Sequence, residues 1–433
     1  MKRELLFYTS ELPDWELTLD VINGIENSEV DAADVNALVR RIVSFAGKFG
    51  LAGDLWQQWL TYILMMHENP FTLACERRGV RADSTITELA AGDLGCFRDL
   101  FKADLSDEGA DAGSAHAAEI LRAMTDYRPP YGSVTERGPG AAISLLSERL
   151  AHAEDVKTFS LILQDHYETY GVGMYGLYRA FRVDEGISEL KLVPVVDDED
   201  VTFDDLIGYE DQKKTLIDNT EAFVSGNHAN NVLLYGDSGT GKSTSIHALM
   251  HEFFPRGMRL VEVSKQNRHL LPQILSQIKK RNYRFIIFLD DLSFEENESD
   301  YKELKAMLEG ALETRSDRVL IYATSNRRHL IRETWRDRND IEYQEDVHHS
   351  DTMEEKLSLA SRFGVTIYYS KPDPKEYLNI VRQLADRNGI ELSSQDLDDI
   401  ARRWELRHGG MSGRTASQLI TWLRGEAAKK TQA

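Results

Sequence analysis

The first 190 residues carry apolar side chains mainly at intervals of three and four, the periodicity of a helix with one buried face. A cluster of proline and glycine at 128–132 interrupts this pattern. Helices are predicted over 35–49, 51–66, 114–127, 141–153 and 156–170. We therefore expect the N-terminal part of the chain to be mainly α-helical.

The pattern changes beyond residue 201, where short β-branched and aromatic runs alternate with helical segments. Strands are predicted over 231–235, 259–264, 285–290, 319–324 and 365–369. Alternation of this kind is typical of a parallel sheet with helices on both faces, which binds ligands at the carboxyl ends of its strands. From residue 371 the pattern is helical again. There Asp373-Pro374-Lys375-Glu376 forms a capping box and predicts a small lid of three helices.

The first of these strands runs directly into a glycine-rich loop that matches the pattern G-x-x-x-x-G-K-[ST]. The loop consists of Gly236, Asp237, Ser238, Gly239, Thr240, Gly241, Lys242, Ser243 and Thr244. Its glycines allow backbone N–H groups to surround a polyphosphate at the positive end of the following helix. We expect Lys242 to reach the outer phosphates and Ser243 to ligate Mg²⁺.

Carboxylates follow the strand predicted over 285–290, about fifty residues after the loop. Asp290 is placed to hold Mg²⁺, and Asp291 to polarise an attacking water. Asn326 closes the next strand and is expected to orient the same water. These side chains supply the second half of a site whose first half is the phosphate loop.

Two arginines occupy positions where a planar guanidinium could stabilise charge on a phosphoryl group in transfer. Arg362 precedes the last strand, and Arg414 opens the last helix. Each alone is weak evidence, because most arginines are surface residues. Their order along the chain, after the phosphate loop and the aspartates, favours a functional role for both.

In the order of these motifs along the sequence, the chain resembles the AAA+ ATPases. The phosphate loop, Asp290-Asp291, Asn326, Arg362 and Arg414 are similar to Walker A, Walker B, sensor 1, the arginine finger and sensor 2. The segment 206–210, which contains Gly208, is similar to the family's adenine-pocket segment. The resemblance covers 201–427. It implies an AAA+ P-loop fold and a Mg²⁺-dependent ATPase that converts ATP and water to ADP and phosphate.

More narrowly, segments 230–236, 290–295 and 322–330 resemble a bacterial AAA+ family catalogued only as a domain of unknown function. The resemblance implies three domains: a helical target-recognition domain (1–195), an α/β nucleotide-binding domain (196–370) and a helical lid (371–433). It also implies that Arg362 acts across a subunit boundary in a ring or open spiral, with a hexamer expected. Arg327 and Arg328 are alternative fingers, since they follow sensor 1.

Two departures from the family pattern change the expectations. Many members carry glutamate where this chain has Asp291, so we expect slow hydrolysis. Members that thread polypeptides carry an aromatic residue in the loop after the second strand, whereas 264–269 has none. Lys265 and Arg268 there either line a basic pore or belong to a solvated loop.

The formal net charge of −21 disfavours a general affinity for nucleic acid, because the summed field repels polyanions. Two cysteines are too few for a disulfide framework, and no apolar run approaches the length of a membrane span. These features favour a cytoplasmic protein without membrane association. A G-x-G-x-x-G match at 171–176 follows a predicted helix rather than a strand, and is interpreted as a joint or a close backbone contact.

Three functions remain open. The first is a remodeller of macromolecular assemblies, with a protein target recognised by the N-terminal domain. The second is a nucleic-acid remodeller or loader related to initiator-type AAA+ proteins. The third is a nucleotide switch that does not hydrolyse ATP. A metal site at His348, His349 and Asp351 is set aside, because the loop shows no further ligand pattern.

Overall fold

The computed structural model describes residues 5–9, 13–26, 32–78, 84–103, 115–130, 138–184, 190–195, 201–292, 304, 308, 317–326 and 362–432. The chain divides into two compact units, an N-terminal unit (Met1–Tyr178) and a C-terminal unit (Arg179–Ala433). The alternative fingers Arg327 and Arg328 and the set-aside metal site at His348, His349 and Asp351 lie outside the described residues.

The N-terminal unit is helical, as predicted. Its helices are α1 (Pro13–Glu26), α2 (Ala32–Phe49), α3 (Leu55–Met66), α4 (Pro70–Arg78), α5 (Thr85–Lys102), α6 (Ala115–Thr125), α7 (Gly138–Ala151), α8 (Val156–Thr169) and α9 (Gly173–Leu177). Each of the five predicted helices has a counterpart, whereas α1, α4, α5 and α9 were not predicted. Among the described helices of the whole chain, none combines the length and apolarity needed to cross a membrane.

Aromatic side chains fill the core of this unit. Trp15 stacks on Phe97 with 5.0 Å between ring centroids. Tyr167 lies 3.1 Å from the Tyr8 hydroxyl and donates to the Leu64 carbonyl at 2.8 Å. Burial raises the pKa of Tyr8 and of Tyr167, so both phenols stay neutral and keep these hydrogen bonds.

The C-terminal unit is built on a seven-stranded sheet with the order β2-β1-β4-β5-β6-β3-β7. Its strands are β1 (Ala180–Val183), β2 (Leu192–Pro194), β3 (Val232–Gly236), β4 (Met258–Glu262), β5 (Arg284–Leu289), β6 (Val319–Ser325) and β7 (Val365–Tyr369). Its helices are α10 (Glu210–Val224), α11 (Lys242–Phe253), α12 (Leu271–Ile278), α13 (Pro374–Arg387), α14 (Ser394–Glu405) and α15 (Gly413–Gln432).

All five predicted strands lie in this sheet, and they pair in parallel. Successive residues of β5 from Phe285 to Leu289 are all buried, which shows that both faces of the sheet are covered. Numbered from β3 along the chain, the five parallel core strands lie in the order 5-1-4-3-2. This order, with the helical lid that follows β7, is the AAA+ P-loop architecture, so the predicted fold class is confirmed.

Two further strands extend one edge of the sheet. β1 pairs in parallel with β4, and β2 pairs antiparallel with β1. Both precede residue 196, where the sequence analysis places the start of the nucleotide-binding domain. The C-terminal unit begins earlier, at Arg179, because β1 is hydrogen-bonded to β4 of the sheet.

The lid packs its three helices around their own apolar core. The capping box predicted for α13 is present: the Asp373 carboxylate accepts from the backbone N–H of Glu376 at 2.8 Å, and Glu376 accepts from that of Asp373. The buried core residues Tyr377, Val381, Ala401 and Leu419 come from all three helices. A cap of this kind stabilises a helix by about 1 kcal/mol.

The glycine motif at 171–176 is a close backbone contact and not a dinucleotide fingerprint. It follows helix α8 rather than a strand. A Cβ on Gly176 would lie 2.6 Å from the Gly171 carbonyl oxygen, and one on Gly173 would lie 2.2 Å from the Glu68 carboxylate. The glycines are therefore needed for packing.

His166 makes the stability of the protein depend on pH. Its side chain is buried, and burial lowers its pKa to about 4. The unfolded chain takes up this proton near pH 6.5 and the folded chain does so only near pH 4, so stability is fully present above that window and is lost as the pH falls through it. The difference corresponds to roughly 3 kcal/mol. We expect His166→Gln to flatten the pH dependence of urea unfolding between pH 6.5 and 4, measured by circular dichroism.

His152 is exposed in the same unit and provides the control. His152→Gln should leave the pH dependence as it is in the unmodified protein. An unchanged slope in His166→Gln would contradict the assignment of the buried neutral imidazole.

Candidate nucleotide site

A cleft of about 650 Å³ lies at the carboxyl ends of the core strands, between the sheet and the lid. It is lined by eleven of the residues predicted for the site. They are Ser238, Gly239, Thr240, Gly241, Lys242, Ser243, Thr244, Asp290, Asp291, Asn326 and Arg414. Gly208, Gly236, Asp237 and Arg362 are not among its lining residues.

The phosphate loop takes its shape from close contacts that only glycine tolerates. Gly236 has a φ of 134°, and a Cβ there would lie 2.1 Å from the Tyr369 carbonyl oxygen. Gly241 has a φ of 91°, and a Cβ there would lie 2.2 Å from Leu206 Cδ1. The loop is therefore held between β7 on one side and the segment before α10 on the other.

Lys242 begins α11 and folds back over the loop. Its Nζ donates to the carbonyl oxygens of Gly236 at 3.1 Å and Asp237 at 2.6 Å, and to Asn326 Oδ1 at 3.0 Å. The side chain is buried, and burial lowers its pKa although the carboxylates of Asp237, Asp290 and Asp291 act in the opposite direction. The ammonium group is thus held by acceptors of its own chain at the centre of the cleft.

Asp290 follows β5, and its carboxylate accepts hydrogen bonds from two hydroxyl groups. Ser243 Oγ donates to Asp290 Oδ1 at 2.7 Å, and Thr324 Oγ1 donates to the same oxygen at 2.5 Å. The loop serine and the strand-end carboxylate, 47 residues apart, therefore meet as predicted. A hydroxyl and a carboxylate side by side are oxygen ligands suited to Mg²⁺.

Asp291 has a left-handed backbone with a φ of 48°, which aspartate tolerates better than most residues. Its backbone N–H donates to Thr324 Oγ1 at 3.0 Å. Its Oδ1 accepts from Asn326 Nδ2 at 2.9 Å. A continuous chain of hydrogen bonds thus runs from Lys242 through Asn326 to Asp291, across the ends of three strands.

The lid approaches the phosphate loop through the start of α15. The backbone N–H of Arg414 donates to the Gly239 carbonyl at 3.3 Å. A Cβ on Gly239 would lie 3.1 Å from both Arg414 Cβ and Ser412 Oγ. On the other side of the loop, the N–H of Lys371 donates to Asp237 Oδ2 at 3.2 Å. The loop and the lid are therefore in direct contact, and the exposed Arg414 faces the cleft.

The segment from Leu206 to Tyr209 connects the two cores of the C-terminal unit. Leu206 packs in the core beneath the sheet, whereas Ile207 packs in the core of the lid. Tyr209 has a φ of 62°, and its hydroxyl donates to the Ser370 carbonyl at 2.8 Å. Leu206, Ile207 and Tyr209 line the cleft, and the predicted Gly208 lies between them with a φ of 84°.

Arg362 is exposed and lies ahead of β7, outside the cleft of its own chain. The alternative fingers Arg327 and Arg328 lie outside the described residues. The geometry of a single chain therefore places no finger arginine in its own cleft among the residues that the structure describes.

The interpretation of Arg268 was wrong. The sequence analysis left it either lining a pore or solvated in its loop, yet it is only 3% exposed and its Nη2 lies 3.4 Å from the Asp290 carbonyl oxygen. The loop forms a 3₁₀ turn (Lys265–Leu270) that turns this side chain inward, behind the end of β5, while Lys265 stays exposed.

Thr324 is a site residue that the sequence analysis missed. It is buried, donates to the Asp290 carboxylate and accepts from the Asp291 N–H. A threonine near the end of a strand is too common to indicate such a role. The available signal is its position, two residues before Asn326 on the strand that neighbours the two aspartates.

No curated protein matches the sequence. Among solved structures, the RuvB Holliday junction branch migration motor of Thermotoga maritima is 20% identical, with 52% of this chain and 63% of that chain covered and a TM-score of 0.34. A point variant of that protein is 16% identical, with 51% and 71% covered and a TM-score of 0.34. This chain thus spans less than two thirds of the length of the first of these structures.

The profile of a family described as "Protein of unknown function (DUF815)" matches residues 177–427, which is more than half of the chain. The matched region contains the sheet, the phosphate loop, both aspartates and the lid. On this match the chain belongs to the DUF815 family.

Proposed function

We propose that this chain is a Mg²⁺-dependent ATPase that assembles into a ring or open spiral and uses ATP turnover to remodel a protein assembly. One observation supports this most directly: Lys242, Ser243, Asp290, Asp291 and Arg414, which come from core and lid, converge on one cleft. Its volume of about 650 Å³ lies within the range of ligand pockets, about 300–1,000 Å³.

The phosphate loop and Lys242 would bind the triphosphate. In the structure the ammonium group is held by two loop carbonyls and Asn326, so it is already positioned over the loop. Exchange of these acceptors for phosphate oxygens gives the buried cation a full negative partner. Ser243 and Asp290 would hold Mg²⁺, which neutralises the charge that develops on the phosphates.

Asp291 would take the proton from the attacking water, with Asn326 holding the carboxylate in place. The left-handed backbone of Asp291 and the Thr324 hydroxyl fix the direction in which the carboxylate points. Because aspartate is one methylene shorter than glutamate, its reach towards the water is shorter. We therefore expect turnover to be slow.

The lid and a neighbouring subunit would respond to the nucleotide. Arg414 faces the cleft from the lid, whose first turn contacts Gly239 of the phosphate loop. Arg362 is exposed on the outside of the same unit, a position suited to a cleft in another subunit. Loss of the γ-phosphate would then release the lid through Arg414 and the neighbour through Arg362. The resemblance to the AAA+ ATPases supports a ring or open spiral, with a hexamer expected.

The protein target is assigned to the helical N-terminal domain. The net charge of −21 disfavours the alternative, a nucleic-acid remodeller, because long polyanions are repelled. The low cysteine content, two in the chain, supports a cytoplasmic location. The division into a recognition domain, a nucleotide-binding domain and a lid remains part of this proposal.

A second candidate is a nucleotide switch that binds ATP without hydrolysing it. The observation that favours it is the hydrogen bond from Asn326 to the Asp291 carboxylate, which occupies one oxygen of the base. Absence of phosphate release from concentrated, assembled protein would favour this switch over the ATPase.

Asp291→Asn tests the proposed base. Asparagine keeps the size of the side chain and tolerates the left-handed backbone, but it cannot take up the proton. We expect kcat to fall by about 100-fold or more while ATP affinity stays within about threefold. Phosphate release and binding of a fluorescent ATP analogue measure the two quantities.

Asp291→Glu serves as the matched variant because it retains a carboxylate. It should keep measurable turnover under the same conditions. Undiminished phosphate release by Asp291→Asn would show that Asp291 is not the base.

Arg362→Ala tests the action across a subunit boundary. We expect the variant to bind ATP normally and to lose turnover, because the guanidinium acts mainly in the transition state. Mixing it with Lys242→Ala protein should restore part of the activity, since one subunit then supplies the arginine and the other an intact cleft. Phosphate release from the separate and mixed proteins is the measurement.

Arg402→Ala, at an exposed position of the lid, is the control and should behave like the unmodified protein. Full turnover by Arg362→Ala alone, or no restoration in the mixture, would contradict the assignment of this finger.

A further inference from the structure

The N-terminal unit contains a groove of about 580 Å³ between α2 and α3, far from the nucleotide residues in sequence. Side chains of α2 form one wall and Trp59 and Tyr62 of α3 form the other. Arg40, Arg41, Ser44 and Lys48 are exposed along the α2 wall. Arg40, Ser44 and Lys48 are four residues apart and Arg41 lies three residues before Ser44, which places all of them on one side of the helix.

The base of the groove is a closed aromatic cluster. The Phe45 ring lies 4.8 Å from that of Tyr62 and 5.2 Å from that of Trp59, and Phe49 packs against Phe45 at 5.1 Å. Phe45, Phe49 and Trp59 are buried. The rings therefore form a rigid apolar base, against which an aliphatic or aromatic side chain of a ligand can pack.

The rim of the groove is basic. Among the described residues that line it none is Asp or Glu, α2 contains a single carboxylate (Asp34), and α3 has no charged residue. Within the part of the chain that the structure describes, no carboxylate lies within ion-pair distance of Arg40 or Lys48; Lys48 Nζ instead lies 5.1 Å from the centroid of the Phe49 ring. Such a concentration of positive charge contrasts with the net charge of −21.

We propose that this groove binds an acidic segment of a protein target, a peptide in which glutamate or aspartate alternates with apolar residues. The Arg40 guanidinium and the Lys48 ammonium would pair with its carboxylates, and arginine can engage a carboxylate through two parallel hydrogen bonds. An apolar side chain of the segment would pack on the aromatic base. The proposal deepens the proposed function, on which it rests, by giving the target a chemical class.

A peptide fits this groove better than a nucleic acid. Stacking of successive bases requires several exposed ring faces, whereas the Phe45, Phe49 and Trp59 rings are buried and Tyr62 alone of the four rings is partly exposed, which is enough for one apolar side chain. A short peptide also carries few charges, so the repulsion by this acidic chain is smaller than for a duplex.

Exposed ion pairs contribute only about 0.2–1 kcal/mol each, so the carboxylates alone would bind weakly. Affinity must come from several pairs together with burial of the apolar side chain. Charge removal and steric filling should therefore each weaken binding, and the two kinds of change can be tested separately.

The test uses the full chain without nucleotide, at low ionic strength, and a short fluorescein-labelled peptide of alternating glutamate and leucine. We expect saturable binding in fluorescence anisotropy. The same peptide with glutamine in place of glutamate should bind at least about tenfold more weakly, and so should the Glu-Leu peptide with the double variant Arg40→Gln/Lys48→Gln. Ser44→Trp, which fills the groove and keeps the charge, should have a similar effect.

Arg149→Gln/Lys157→Gln removes two exposed cations elsewhere in the same unit and should change the affinity by less than about twofold. Circular dichroism checks that each variant folds, as expected for exposed positions. No saturable binding of the Glu-Leu peptide, or equal losses in the groove and control variants, would overturn the proposal. Tighter binding of a thymidine oligonucleotide of equal charge, lost in the same groove variants, would overturn it in favour of nucleic acid.

Because no nucleotide is present, the result does not depend on ATP hydrolysis. If the groove does not bind the peptide, the ATPase proposal is unaffected. If the protein does not hydrolyse ATP, peptide binding can still be measured.

Discussion

The candidate nucleotide site depends on the register of four parallel strands. Gly236 at the end of β3 is paired with Tyr369 of β7, Tyr235 with Ser325 of β6, and Leu289 of β5 with Ala323 of β6. Because these strands end at nearly the same level, the residues that follow them meet at one edge. A shift of one residue in any pair would turn the side chains to the opposite face and separate the phosphate loop from the carboxylates.

The same register creates an electrostatic constraint. Lys242 is buried near the carboxylates of Asp237, Asp290 and Asp291, and a buried cation is tolerated only when acceptors surround it. Two loop carbonyls and Asn326 provide them in the structure. The arrangement links the ammonium group to Asp291 through one side chain, so whatever binds Lys242 also affects the orientation of Asp291. Thr324 extends this link to Asp290.

Much of the core sheet and of the candidate site could be predicted from the sequence because their sequence patterns are local. An apolar strand followed by a glycine-rich loop and Lys242 has few alternative structures, and a buried strand that ends in Asp290 places a carboxylate at the sheet edge. Side chains whose role depends on tertiary contacts gave no such signal. Arg268 resembles any basic residue of a polar loop, and Thr324 any strand residue.

The missed elements have physical reasons as well. β1 and β2 contain four and three residues, too few for a periodicity, and they form strands because the edge of β4 is available to β1. Helix α5 contains two glycines that weaken its propensity, and it is stabilised by burial of Leu94, Phe97 and Phe101. In each case packing outweighs the local preference of the sequence.

Binding of ATP with Mg²⁺ to the unmodified chain and to Lys242→Ala, measured by isothermal titration calorimetry, tests the central claim most directly. Lys242 is held at the centre of the cleft by three acceptors, so its removal should weaken binding by about 100-fold or more, equivalent to about 2.7 kcal/mol. Equal affinity of the two proteins would show that the triphosphate does not bind in this cleft, and would contradict the account.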